Sequence, residues 1–136
     1  MTDARTNEAR TDKAIVLVNL GTPDAPTASA VRRYLAEFLM DPLVVALPRW
    51  LWAPLLHGVI LPLRSKRVAR KYAGIWMPGG SPLAVHTRRL AEAVQARLPG
   101  MRVVHAMRYG NPSIPDVFAA LFCDSSHDVG RAAYPT

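Results

Sequence analysis

The sequence predicts an α/β fold of the doubly wound kind, in which helices pack on a parallel sheet. Residues 14–20 form a short, continuous apolar run, as in a buried parallel strand, and residues 102–107 predict a second strand. The segments between them carry apolar residues at helical spacing. A strand, helices, a second strand and a further helix begin such a sheet. Two strands bury little apolar surface, so we expect a partial, incomplete lobe of this kind.

Up to residue 80 the predicted elements follow from apolar spacing and from the prolines. They are a strand (14–20), a turn (21–26), an amphipathic helix (29–40), a proline-rich stretch of loop and short helix (43–63) and a basic helix (66–76). Ser29 or Thr27 can cap the first of these helices, and Asp41-Pro42 ends it.

The remaining elements are bounded by clear start and stop signals. Ser81 and Pro82 suit the N-cap and N1 positions of a helix over 82–98, which Pro99-Gly100 ends. The second strand is predicted at 102–107, and Asn111-Pro112 turns the chain. A last helix starts at Ser113 or Pro115 and continues to Leu121.

Charge and composition limit the partners and the compartment. A net charge of +7 over 136 residues favours anionic partners. The run Arg64–Lys71 holds five cations and no acid. The single cysteine, Cys123, excludes an internal disulfide, and no secretory signal is visible, so we expect a cytoplasmic protein. The apolar stretch Leu43–Leu63 contains prolines and Arg49, which argue against a membrane span.

Three motifs carry a resemblance to a known family. They are Ala14–Pro23, the Gly-Gly-Ser-Pro turn within Gly79–Thr87, and Arg108-Tyr109 after the second strand. Their order and spacing resemble the amino-terminal half of ferrochelatases, from about residue 13 to about residue 120. The resemblance implies insertion of ferrous iron into protoporphyrin IX to make haem. Iron and porphyrin are then substrates, and no cofactor is expected.

The resemblance also implies the substrate-binding residues. The reaction must hold a flat apolar macrocycle, orient its carboxylates and remove two pyrrole protons. Apolar side chains serve the first task, and Arg, Ser and Tyr serve the second. The implied contacts are Leu20 on the macrocycle, Arg64, Tyr72 and Ser81 on the carboxylates, and Arg108 and Tyr109 lining the cleft.

Each of these residues also has a purely structural interpretation. Leu20 fits a strand core, and Ser81 fits a simple N-cap. Arg64 fits a solvated basic face, and Tyr72 fits helix packing. Arg108 and Tyr109 can simply end a strand.

No catalytic or metal-binding residue is expected in this chain. In ferrochelatases the metal-side His and its partner Glu belong to the carboxyl-terminal lobe. Ser125-Ser126-His127-Asp128 imitates the family's Ser-x-His motif but lacks the small residue that follows the His. The pair Cys123 and His127 is too few ligands for structural zinc. His57, His86 and His105 share no helix face or strand.

The domain prediction has three parts. Residues 1–12 form a disordered tail, 13–121 a truncated ferrochelatase-like lobe, and 122–136 a tail unlike the family. A frameshift or early stop near Leu121 would explain the change of character there. Because the resemblance places the proton-accepting residues in the carboxyl-terminal lobe, we expect that this chain alone does not metallate porphyrin.

Other features of the sequence bear on further partners and functions. Trp50 and Trp52, with the run Arg64–Lys71, suit peripheral contact at the inner membrane, although the two indoles can equally pack under a loop. The rival function is a non-catalytic porphyrin- or anion-binding module. Nucleic-acid binding is not expected, because aromatic residues do not interleave with the charges. Asn19–Pro23 lacks the glycine pattern of a dinucleotide site.

Overall fold

The computed structural model describes residues 13–123. Its elements are β1 (Ala14–Thr22), α1 (Ala28–Met40), α2 (Arg49–Leu55), a π-helical segment (Leu56–Ile60), α3 (Leu61–Ile75), α4 (Pro82–Arg97), β2 (Arg102–Gly110) and α5 (Ile114–Cys123). The features predicted for residues 1–12, for the Ser125–Asp128 motif and for the rest of the 122–136 tail beyond Cys123 lie outside the described residues.

The two strands pair in parallel, as the sequence predicts, so the α/β class is confirmed. Ala14 pairs with Arg102 at one end of the ladder, and Thr22 pairs with Gly110 at the other. Four helices, α1 to α4, make the connection between the strands. Because the strands are parallel, their carboxyl ends meet at one edge of the sheet, which we call the carboxyl edge.

Side-chain caps start three of the helices, the third being Ser113, whose side chain accepts a hydrogen bond of 3.3 Å from the Asp116 amide at the start of α5. The Thr27 side chain accepts a hydrogen bond from the Ala30 amide, so Thr27 rather than Ser29 caps α1. The Ser81 side chain accepts from the Ala84 amide and caps α4, as predicted. Each cap satisfies one of the amides that the first helical turn leaves without a partner.

The prediction of an irregular stretch over 43–63 was wrong for its second half. Helical structure runs without a break from α2 through the π-helical segment into α3. Within the segment the Leu61 amide donates to the Leu56 carbonyl, five residues back. This wider turn comes directly before Pro62, which has no N–H to donate, and it lets the helix continue past the proline. No helix within residues 13–123 is long and apolar enough to cross a membrane.

The core lies between the helices and one side of the short sheet. Its largest fully buried apolar side chains include Val31 of α1, Leu56 and Leu61 at the start of α3, Val85 of α4 and Met107 of β2. Helix α3 buries Leu61, Ser65 and Ala69, which recur every fourth residue and form one face. Its cations therefore lie on the opposite, solvated face.

At the carboxyl edge the two backbones approach closely at a pair of glycines. Gly21 has a φ of 124°, and a Cβ there would lie 1.8 Å from the Tyr109 carbonyl oxygen. Gly110 has a φ of 84°, and a Cβ there would lie 2.7 Å from the Thr22 carbonyl oxygen. Only glycine combines a positive φ with so close a neighbouring backbone.

We expect Gly21→Ala to lower the free energy of unfolding by about 3 kcal/mol or more, because strain and a backbone clash act together. The matched control is Gly74→Ala in α3, where a Cβ meets nothing within 4 Å. That change should raise stability by up to about 1 kcal/mol. Urea unfolding of both variants checks the prediction. Equal effects at the two glycines would contradict it.

Candidate functional site

Polar and aromatic side chains from both strands and from α1 converge at the carboxyl edge. Gly21 pairs with Tyr109, so Leu20 and Arg108 lie one residue before this pair on neighbouring strands. Leu20 is 49% exposed, which is high for a large apolar residue on a strand. The structure thus brings three of the predicted site residues to one place.

A closed hydrogen-bonded triangle, which we call the Asp41 triangle, joins the end of α1 to β2. The Tyr109 hydroxyl donates to Asp41 Oδ2 over 2.6 Å. Arg108 Nη2 donates to the same oxygen over 3.1 Å, and Arg108 Nε donates to the Tyr109 hydroxyl over 3.0 Å. The hydrogen bond from Tyr109, followed by that from the Leu43 amide, lowers the pKa of Asp41. Asp41 is therefore ionised at neutral pH.

A second carboxylate of α1 holds the next residue of β2. Glu37 Oε2 accepts a hydrogen bond of 3.0 Å from the Gly110 amide. Glu37 lies four residues before Asp41, one helical turn away on the same side of the chain. Two carboxylates thereby fix the end of β2 to α1 and the residue after it. Asp41 holds Arg108 and Tyr109, and Glu37 holds Gly110.

Aromatic residues of α1 cover the same edge. Tyr34 stacks on Phe38 with centroids 6.1 Å apart, and Phe38 meets the Tyr109 ring edge-on at 5.1 Å. The Tyr34 hydroxyl donates to the Gly21 carbonyl over 3.2 Å. Burial, then the neighbouring hydroxyls of Tyr72 and Tyr109, raise the pKa of Tyr34 to about 12. Tyr34 therefore bonds α1 to the end of β1 and, through Phe38, packs towards Tyr109 of β2.

Sequence reasoning missed Tyr34 and Asp41 as site residues. In the sequence, Tyr34 has no predicted role, and Asp41 is predicted only as the end of a helix. A signal for Tyr34 was present, because it lies four residues before Phe38 and such a pair shares a helix face. Nothing in the sequence indicates that Asp41 meets residues 67 and 68 positions away.

Ser81 lies behind the carboxyl edge. Its side chain is 1% exposed and accepts hydrogen bonds from Thr22 Oγ1 over 2.7 Å and from the Ala84 amide over 3.2 Å. A parallel contact joins Asn19 Nδ2 to Thr87 Oγ1 over 2.9 Å. These contacts account for Ser81 as a cap and as a tie between α4 and β1. Its contact with a ligand stays a prediction.

The two predicted residues on α3 differ in their surroundings. Tyr72 is half-buried and meets the Trp76 ring edge-on at 6.3 Å. Arg64 is exposed, and no hydrogen bond or ion pair ties it to another residue of 13–123. It lines a groove of about 440 Å³ together with Leu63, Arg67, Val68 and Lys71. The Tyr72 hydroxyl thus lies near enough to Tyr34 to act on its pKa. Arg64 lies on the same helix, and within residues 13–123 it has no contact of its own with the carboxyl edge.

Metal ligands do not gather in the described part of the chain, where no group of three His, Cys, Asp or Glu side chains could hold an ion. His57 and His86 are exposed, whereas His105 is buried in β2. Burial, followed by the charge of Arg88, lowers the pKa of His105. The arrangement offers a fixed guanidinium and an apolar strand end, which together can bind an anionic apolar ligand.

Comparison with known proteins gives a consistent result. The profile of the Ferrochelatase family matches residues 12–129. The chain is 65% identical over 103 residues to a ferrochelatase of Stenotrophomonas maltophilia (strain R551-3), which covers 76% of this chain and 32% of the relative. It is 56% identical over 118 residues to a ferrochelatase of Neisseria gonorrhoeae (strain ATCC 700825 / FA 1090), covering 87% of this chain and 34% of the relative. The chain thus spans about a third of the length of these relatives.

The raised pKa of Tyr34 predicts a loss of stability at high pH. Its hydroxyl titrates near pH 10 in an unfolded chain and at about 12 when folded. The stabilisation is therefore fully present below pH ~10 and is lost as the pH rises towards ~12. Tyr34→Phe should remove this part of the pH dependence while keeping the ring stack. Urea unfolding across this range checks it, and an unchanged slope in the variant would contradict it.

Proposed function

Because the chain belongs to the ferrochelatase family, we propose that residues 13–123 form the porphyrin-binding wall of an enzyme that inserts ferrous iron into protoporphyrin IX. Iron and porphyrin are substrates, haem and two protons are products, and no cofactor takes part. The observation that carries the proposal is the carboxyl edge, where Arg108, whose guanidinium is held by Asp41, and the exposed Leu20 occupy neighbouring positions on adjacent strands.

The macrocycle rests on the apolar part of this edge. Leu20 points its half-exposed side chain away from the core, which favours a surface contact over a core role. Burying such a leucine against a flat apolar ring is favourable by about 1.5–3 kcal/mol at most. Tyr34 holds the Gly21 carbonyl and so fixes the strand end that carries Leu20.

The carboxylate arms of the porphyrin meet the cations. Arg108 is oriented by two hydrogen bonds, and Arg64 lines the groove on α3 with two further cations. A guanidinium can bind a carboxylate with two parallel hydrogen bonds. Tyr72 and Ser81 complete the proposed set, with Tyr72 near the edge and Ser81 behind it.

We assign no proton acceptor to the described residues. Removing two pyrrole protons near neutral pH requires a neutral His or a carboxylate beside the ring. His105 lies within β2 rather than at its end, and Asp41 and Glu37 are engaged by the strand. We therefore propose that this chain by itself binds porphyrin and does not metallate it.

A second candidate is a porphyrin- or anion-binding module without catalysis. It is favoured by the same observation, since the guanidinium held by Asp41 and the cations of the α3 groove can bind an anion without any metal chemistry. The two candidates share the binding step. They differ in whether ferrous iron is inserted into the porphyrin that these residues bind.

Peripheral contact with a membrane is a further proposal, supported by an apolar stripe on the α2–α3 helix. Trp50 is 78% exposed. After it come three further exposed apolar residues that are spaced four positions from one another, Leu51, Leu55 and Val59. Trp52 differs, because its Nε1 donates to the Leu39 carbonyl over 2.7 Å and anchors the helix to α1. Cations of α3 continue the stripe and suit anionic headgroups.

One prediction of this proposal concerns porphyrin affinity. Arg64→Ala should weaken protoporphyrin binding about 10-fold, because a charged hydrogen bond to a carboxylate is lost. Arg70→Ala is the matched control, since it removes an exposed Arg from the same helix but outside the groove. Quenching of porphyrin fluorescence measures both. Equal losses would show that net charge, not a site, governs binding.

The same preparation tests the reaction. With ferrous iron under anaerobic conditions, the chain alone should bind porphyrin and leave its absorbance spectrum in the metal-free form. Formation of haem by this chain would overturn the proposed inactivity. Haem formed only when a carboxyl-terminal ferrochelatase lobe is supplied would favour the enzyme over the binding module.

A further prediction concerns contact with the membrane. The chain should sediment with vesicles that contain phosphatidylglycerol and less with phosphatidylcholine alone, and salt should weaken the binding. Trp50→Ala should lower the bound fraction several-fold, since an interfacial indole is lost. Leu90→Ala, a change at an exposed apolar residue of α4, is the control. Equal binding by all three proteins would argue against this contact.

A further inference from the structure

We propose that Asp41 is a positioning residue that sets the direction of the Arg108 guanidinium at the carboxyl edge, and that Tyr109 acts with it. This inference rests on the proposed porphyrin-binding function and adds to it a residue that does not touch the ligand. It separates the roles of Arg108 and Tyr109, which sequence reasoning treated as equivalent contacts.

The geometry of the Asp41 triangle leaves one side of Arg108 available. Arginine has five N–H donors in a planar fork. Nε and one hydrogen of Nη2 are used within the triangle. Nη1 has no partner among residues 13–123, and the side chain is 47% exposed. The triangle therefore occupies Nε and one hydrogen of Nη2. It leaves Nη1 and the second hydrogen of Nη2 to bind a ligand carboxylate.

Tyr109 helps to hold Arg108 in place. Its side chain is 5% exposed, and its hydroxyl donates its single proton to Asp41 while accepting from Arg108. A hydroxyl committed in this way has no proton to offer a ligand. Tyr109 thus acts through Arg108, and its ring, packed on Phe38, fixes where the hydroxyl lies.

Asp41 is itself held in place from the other side. Its Oδ1 accepts a hydrogen bond of 2.8 Å from the Leu43 amide, directly after the end of α1. Both carboxylate oxygens therefore have fixed partners. A guanidinium oriented before binding loses less conformational freedom when a carboxylate arrives. Orientation, rather than added charge, is what Asp41 contributes.

A double-mutant cycle on protoporphyrin affinity tests this. Asp41→Asn should weaken binding about 10-fold in the otherwise unchanged chain, and should have no effect once Arg108→Ala is present. Glu37→Gln is the control, because Glu37 also ties α1 to the strand end but contacts the Gly110 amide instead of Arg108. An undiminished effect of Asp41→Asn in the Arg108→Ala background, or an equal effect of Glu37→Gln, would overturn the proposal.

A second measurement does not need the ligand. In nitrogen-15 NMR spectra the Arg108 Nε–H signal is identified by its absence in Arg108→Lys. Its proton should exchange slowly with water in the unchanged chain and rapidly in Asp41→Asn. The same exchange rate in both proteins overturns the positioning role. A chain that shows the slow signal but no porphyrin affinity keeps the positioning role and overturns the proposed function, so the two failures are distinguishable.

Discussion

The close approach of two backbones at Gly21 and Gly110 is the constraint on which the rest of the structure depends. It lets β1 and β2 remain paired to their last residues, so that the turns that follow both strands meet at one edge. In a parallel sheet this edge collects side chains that are far apart in the chain. The site is therefore a consequence of the ladder, and a side chain at either glycine would separate its halves.

Helix α1 organises this edge by several kinds of contact. Two carboxylates, Glu37 of α1 and Asp41 directly after it, hold the end of β2. The aromatic residues Tyr34 and Phe38 of α1 cover the end of β1 and the ring of Tyr109. Polar and aromatic contacts thus come from successive turns of one helix. The helix is rigid, so it transmits a fixed distance between the two strand ends, which a loop would not.

The sequence alone predicts the strands, the parallel sheet and the α4 cap, because apolar runs and Ser-Pro starts are local signals. It fails at 56–63, where Pro62 suggested an irregular chain but a π turn carries the helix through. It also places Leu20, Arg108 and Tyr109 at one edge without showing how they are held. The role of Asp41 depends on contacts across 67 and 68 positions, which no local pattern encodes.

The carboxyl edge is proposed to bind a porphyrin through its carboxylates and one apolar face. A crystal structure of the chain with protoporphyrin bound is the decisive measurement. We expect the ring against Leu20 and a carboxylate within hydrogen-bonding distance of Arg108 Nη1, with the Asp41 triangle intact. A porphyrin bound elsewhere on the chain, with no contact to Leu20, Arg64 or Arg108, would contradict it.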